Sequence, residues 1–115
     1  MKTLIIAIML VLGLSSCAYA DLISWYGNES IVPKWKGYTA SGEKFNENAL
    51  TCAVPKRSML GNIYKVSYKD KSVVVRANDT GSFAKYGRAL DLSKAAFLRL
   101  APLSKGIIKV KIEKL

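Results

Sequence analysis

Residues 73–83 read VVVRANDTGSF. A β-branched run ends at Arg76 and delivers Asp79 directly into the turn signal Thr80-Gly81. Asn and Asp are favoured where a strand stops, because their side chains hydrogen-bond the turning backbone. A surface turn therefore accounts for Asp79 taken alone. A strand end is also where a rigid scaffold holds reactive groups at the rim of a cleft. The rest of the chain decides between the two.

Just upstream, residues 63–69 alternate Tyr64, Val66 and Tyr68 with Lys65, Ser67 and Lys69, the period of a half-buried strand. Asp70-Lys71 is then expected to turn the chain into a strand over 72–77, whose three valines suit burial on both faces. Residues 21–27, 49–54 and 106–114 read as further short strands, and 28–38, with Pro and Gly and no period, as a loop. Downstream, Ser93 is placed to cap a short helix built on Ala95, Ala96, Phe97, Leu98 and Leu100 and stopped by Pro102. Several short strands and one short helix in so small a chain indicate a mainly β protein, a small closed barrel. Closure removes strand edges that the chain has nothing else to cover.

The first 20 residues, MKTLIIAIMLVLGLSSCAYA, carry Lys2, an apolar run over 4–14 and then small residues, the pattern of a secretory signal peptide. A membrane-spanning helix needs about 20 apolar residues, more than this run supplies. Two processing signals overlap. Ala18-Tyr19-Ala20 fits cleavage before Asp21, whereas Leu14-Ser15-Ser16-Cys17 resembles a bacterial lipobox, with the signal ending at 16 and Cys17 acylated. The lipobox is preferred because its positions are filled consecutively. Either cut leaves 95 (115 − 20) or 99 (115 − 16) residues, one domain essentially over 21–115. Cys52 is then expected to be a small buried hydrophobe.

The formal charge is +10 and histidine is absent. The lysines are scattered rather than gathered on a recognition helix, so nucleic acid is not an expected partner. An exported basic surface is instead drawn to anionic envelope polymers or lipid head groups. Without histidine the Ser-His-Asp and Cys-His nucleophile arrangements are excluded. With two cysteines in the whole chain, no metal site is expected either, and no cofactor. An enzyme on this chain must use carboxylates, hydroxyls, lysines or backbone groups.

Three stretches stand together in order: SWYG at 24–27, TASGEKFNENALT at 39–51, and VVVRANDTGSF running on to GRALDLSKAA at 87–96. In this order they closely resemble the rare lipoprotein A family. The resemblance implies a six-stranded double-psi β-barrel and a monomeric lytic transglycosylase of the bacterial cell envelope. Such an enzyme acts on peptidoglycan glycan strands, cleaving between N-acetylmuramic acid and N-acetylglucosamine to leave 1,6-anhydro ends. The family's glutamate falls on Glu43 and its aspartate on Asp79. Its histidine position holds Val54, its arginine Thr80 and its proline Ser82. The same barrel is similar to that of expansins, so a non-catalytic wall-binding or wall-loosening module is the alternative.

The chemistry of the residues agrees with two carboxylates. Glycosidic cleavage needs an acid for the leaving oxygen and a group that stabilises positive charge at the anomeric carbon. Asp79, on a stiff strand end, is assigned as acid and then base. Glu43, in a Gly-containing turn, is assigned to orient the sugar or stabilise charge, and the reverse assignment stays open. Tyr26 and Asn78 are expected to bind substrate in the groove, with a structural role as the alternative. Trp25 reads as core. Trp35 reads as a sugar platform or a loop anchor, and Asp91 and Ser93 as braces.

Overall fold

The computed structural model describes residues 18–115, with no side chains described over 32–35. Residues 1–17, Cys17 among them, and the Trp35 side chain therefore lie outside the described residues. Strands β1 (Ala18–Tyr26), β2 (Thr51–Val54), β3 (Ile63–Tyr68), β4 (Lys71–Thr80), β5 (Arg88–Ser93) and β6 (Ile108–Lys114) close a barrel in the order β1-β5-β2-β4-β3-β6. β1 runs parallel to β5, and β2 parallel to β4, while the remaining neighbours are antiparallel. Two short helices, α1 (Asn28–Trp35) and α2 (Lys94–Leu98), pack outside the sheet.

Alternation builds the interior. Ile23, Val54, Val66, Val75, Leu90, Leu92 and Ile112 meet inside with Phe97 of α2. β4 obeys the same period over its first half: Val73, Val75 and Ala77 turn inward while Val74 stays 47% exposed. The expectation that all three valines are buried is thus corrected, because the outer face of this strand meets solvent. The hairpin between β3 and β4 turns on Lys69-Asp70, one residue earlier than expected, with Tyr68 paired to Lys71 and Lys69 at φ 56°.

Two further corrections concern elements. Residues 28–35 form a helix rather than a loop, although Pro33 inside it supplies no amide for the i→i−4 ladder. Left-handed Lys36 (φ 55°) and Gly37 (φ 84°) then end it. β5 is a strand in its own right, with Leu90 and Leu92 inward and Asp91 between them. Ser93 caps α2 as expected, accepting from the Ala96 amide. Cys52 is fully buried with a free thiol, whose pKa burial raises to about 12.

Candidate active site

The site lies where β4 leaves its regular pairing. Cys52 pairs with Ala77 but Ala53 pairs with Asp79, so Asn78 is an extra residue on β4 relative to β2. Such a register shift bends a strand and re-aims the residues that follow. Asn78 comes out 3% exposed, and Asp79 follows at the half-buried rim.

Opposite this strand end the loop 39–43 folds back on itself. The Gly42 amide donates to the Thr39 carbonyl (3.0 Å) and the Thr39 amide to the Glu43 carbonyl (2.9 Å). Gly42 sits at φ 93°, a conformation that a side chain would strain. The loop is tied to β4 by the Ser41 amide donating to the Asn78 carbonyl (3.1 Å) and the Ala40 amide to Asp79 Oδ1 (2.9 Å). The two motifs that carry Glu43 and Asp79 therefore meet at one rim.

Asp79 accepts hydrogen bonds from the Ala40 amide, its neighbour's Thr80 amide (2.9 Å to Oδ1) and the Tyr26 hydroxyl (3.1 Å to Oδ2). Tyr26 is itself fixed by stacking on Phe45, ring centroids 4.8 Å apart, within a small second core that includes Ile31, Ala53 and Phe83. Burial first, and then the Asp79 charge, push the Tyr26 phenol far above its ordinary range, so it remains a donor. Glu43 Oε1 accepts from Asn78 Nδ2 (2.6 Å) and pairs with Arg76 Nη2 (2.9 Å). The Asn78 bond chiefly, opposed by burial and helped by Arg76, holds the Glu43 carboxyl below the usual carboxylate range. Arg76 and Asn78, two residues apart on β4, thus meet at the same Glu43 oxygen.

A cavity of about 180 Å³ opens on this rim, lined by Tyr38, Thr39, Ala40, Arg57, Asp79 and Thr80. Arg57 reaches into it from the one-turn helix after β2, its Nη2 donating to the Ala40 carbonyl (3.3 Å). Nothing in PKRS at 55–58 distinguishes Arg57 from a solvated turn, so the sequence hid it. Tyr26 and Asn78 do not line this cavity; each is buried and holds one carboxylate. Val54, where the resemblance puts the family's histidine, is fully buried among the barrel core residues.

A second cleft, about 290 Å³, runs from Gly81 to Asp91. Asp91 is half-buried and accepts from Ser24 Oγ (2.6 Å), which in turn accepts from the Arg88 guanidinium. Burial raises the Asp91 pKa, Ser24 and Arg88 oppose the rise, and the Asp79 charge adds to it. Asp91 thus braces β5 against Ser24 of β1, and composition does not reveal how far an acid between two leucines is desolvated.

Residues 19–112 match the family model described as lytic transglycolase. The endolytic peptidoglycan transglycosylase RlpA of Rickettsia felis is 44% identical over 92 residues, 78% of this chain and 39% of that protein. The chain thus spans about two fifths of that relative's length. Among solved structures, a Streptomyces papain inhibitor superposes with TM-score 0.69 at 23% identity, over 86% of this chain and 94% of the inhibitor. A mutant Clavibacter michiganensis expansin in complex with cellohexaose superposes with TM-score 0.65 at 17% identity, over 86% of this chain and 50% of the expansin. At these identities the two structures speak for the fold, a double-psi β-barrel.

Proposed function

This chain belongs to the rare lipoprotein A family of lytic transglycosylases, and on that footing we propose that it cleaves peptidoglycan glycan strands endolytically, without water. Protonated Asp79 gives its proton to the glycosidic oxygen between N-acetylmuramic acid and N-acetylglucosamine. As the bond from that oxygen to the anomeric carbon breaks, the sugar's own 6-hydroxyl oxygen bonds to the same carbon. The 6-hydroxyl proton passes to Asp79, which is thereby restored, and the product carries a 1,6-anhydro end. Glu43, held ionised, stabilises the positive charge that develops at the anomeric carbon. Tyr26 and Asn78 position the two carboxylates.

The observation that carries this reading is the convergence of Asp79 and Glu43 on one rim, Asp79 on the cavity wall and Glu43 kept as a carboxylate. Its test is digestion of purified peptidoglycan by the mature protein, with released fragments weighed by mass spectrometry. Anhydro ends support transglycosylation and reducing ends point to hydrolysis. Binding without fragments points to the expansin-like module, the reading favoured by Val54 at the histidine position.

The working place is the cell envelope, reached through the N-terminal signal peptide. β1 supports lipobox processing over cleavage after Ala20. Ala18, Tyr19 and Ala20 pair with Glu113, Ile112 and Lys111 of β6, and the later cut would remove them. Acylation at Cys17 leaves that pairing whole. Cys17→Ser should release the protein from the membrane fraction, and an unmodified N-terminus at Asp21 in wild-type protein would refute the anchor.

A further inference from the structure

The first cavity and the second cleft are lined by consecutive residues of one strand end, Asp79 and Thr80 in the first and Gly81 in the second. An endolytic enzyme must hold sugar on both sides of its acid, and the second cleft has the chemistry to do so. Its wall is the one-turn 3₁₀ helix Phe83–Tyr86. With three residues per turn, side chains at 83 and 86 eclipse. Phe83 points into the small core, whereas Tyr86 remains 68% exposed above it.

Two cations surround that open ring. The Arg88 guanidinium carbon lies 5.8 Å from the Phe83 ring centroid and 5.9 Å from that of Tyr86, and Lys85 Nζ lies 5.2 Å from the Tyr86 centroid. Ser24, backed by Asp91, accepts from Arg88 and fixes it in place. A single exposed aromatic is ordinary on a protein surface. One framed by a fixed guanidinium and an ammonium inside a cleft is a recognition surface: the ring offers an apolar face to a pyranose, and the cations offer charge-assisted hydrogen bonds to an anion.

We propose that this cleft is a subsite for a carboxylate-bearing sugar of the glycan strand, with Tyr86 as its platform and Lys85 and Arg88 as its anion contacts. The inference rests on the peptidoglycan reading above. The carboxylate has two possible sources, the 3-O-lactyl group of a peptide-free muramic acid or an attached stem peptide.

The test is calorimetric binding to Asp79→Asn protein, which is expected not to turn the ligands over. The ligands are chitotetraose, which has no carboxylate, a peptide-free muramic acid-containing tetrasaccharide, and its peptide-bearing counterpart. At least one acidic tetrasaccharide should bind about tenfold more tightly than chitotetraose, and the tighter of the two identifies the source. Lys85→Ala should reduce that preference to about twofold or less, and Tyr86→Ala should weaken all three ligands about tenfold. Both side chains are exposed, so unchanged melting temperatures are expected alongside. Equal affinity for all three ligands, or a preference that survives Lys85→Ala and Tyr86→Ala combined, overturns the subsite. Binding needs no cleavage, so either result stands apart from the search for anhydro ends.

Discussion

The Tyr26 hydroxyl donates to Asp79 Oδ2 across 3.1 Å, joining the end of β1 to the end of β4. The SWYG and NDTG motifs are far apart in the chain, yet this bond makes them one structural unit. Tyr26→Phe keeps the stack on Phe45 and removes the donor. The expected loss of stability is about 1 kcal/mol, the net worth of one hydrogen bond. The expected loss in kcat is roughly tenfold with KM little changed, because a loosened acid is misplaced more than it is lost. Steady-state kinetics beside thermal melts check both, and an unchanged kcat refutes the positioning role.

Glu43 should respond to its two partners unequally. Its folded pKa is depressed, so its contribution to stability is present above the ordinary value of 4.5 and is lost as pH falls through the folded value. With 41% of the Glu43 side chain exposed, that contribution is small. Asn78→Ala should move the Glu43 titration upward more than Arg76→Ala does, since the Asn78 bond is the stronger cause. Carboxyl NMR titration reads this directly, and the opposite ranking contradicts it.

Asp91 carries the reverse sign. Its folded pKa is raised, so ionising it costs stability, and the cost sets in as pH rises past the ordinary value of 3.8. Asp91→Asn removes that cost and keeps an acceptor for Ser24, while depriving Arg88 of a counter-charge. Relative to wild type the variant should gain stability as pH rises above 3.8. Melting curves across that range check it; a gap that stays flat, or widens against the variant, rules it out.

Gly81 is required by a close approach. A Cβ built there meets Phe83 Cδ2 and Cε2 at 2.8 Å. Gly81→Ala should cost about 1–3 kcal/mol, the usual range for overpacking. Phe83→Leu added to Gly81→Ala should recover part of it, as denaturant melts would show. Strictly additive costs would mean that the two residues do not compete for that space.

What the sequence made legible follows from where local pattern and tertiary packing agree. β3 was readable because Tyr64, Val66 and their exposed lysines alternate without interruption, and the Ser93 cap because its serine stands just before a helical run. β5 was obscured by its own motif: in RALDLS Asp91 and Ser93 read only as braces, and the two neighbouring strands reveal the pleat. α1 was hidden by Pro33 and Gly37, ordinary signs of a loop, which the packing of Ile31 into the small core overrides. In the site, Glu43 and Asp79 were singled out by the family resemblance of their motifs. The burial of Asn78 against Glu43 was not legible, since Asn78 sits at a register shift between β2 and β4 that one strand's sequence does not encode.

The central claim is that Asp79 transfers the proton in a water-free cleavage. Asp79→Asn keeps the side chain's size and an oxygen for the Ala40 amide while removing the exchangeable acid proton. Peptidoglycan digested by wild-type and variant protein, with anhydro-muropeptides counted by mass spectrometry, gives the most direct test. The account predicts anhydro ends from wild type and a loss of roughly 10²-fold or more in their rate of release by a variant that still folds. Anhydro ends released at the wild-type rate by folded Asp79→Asn protein would contradict it.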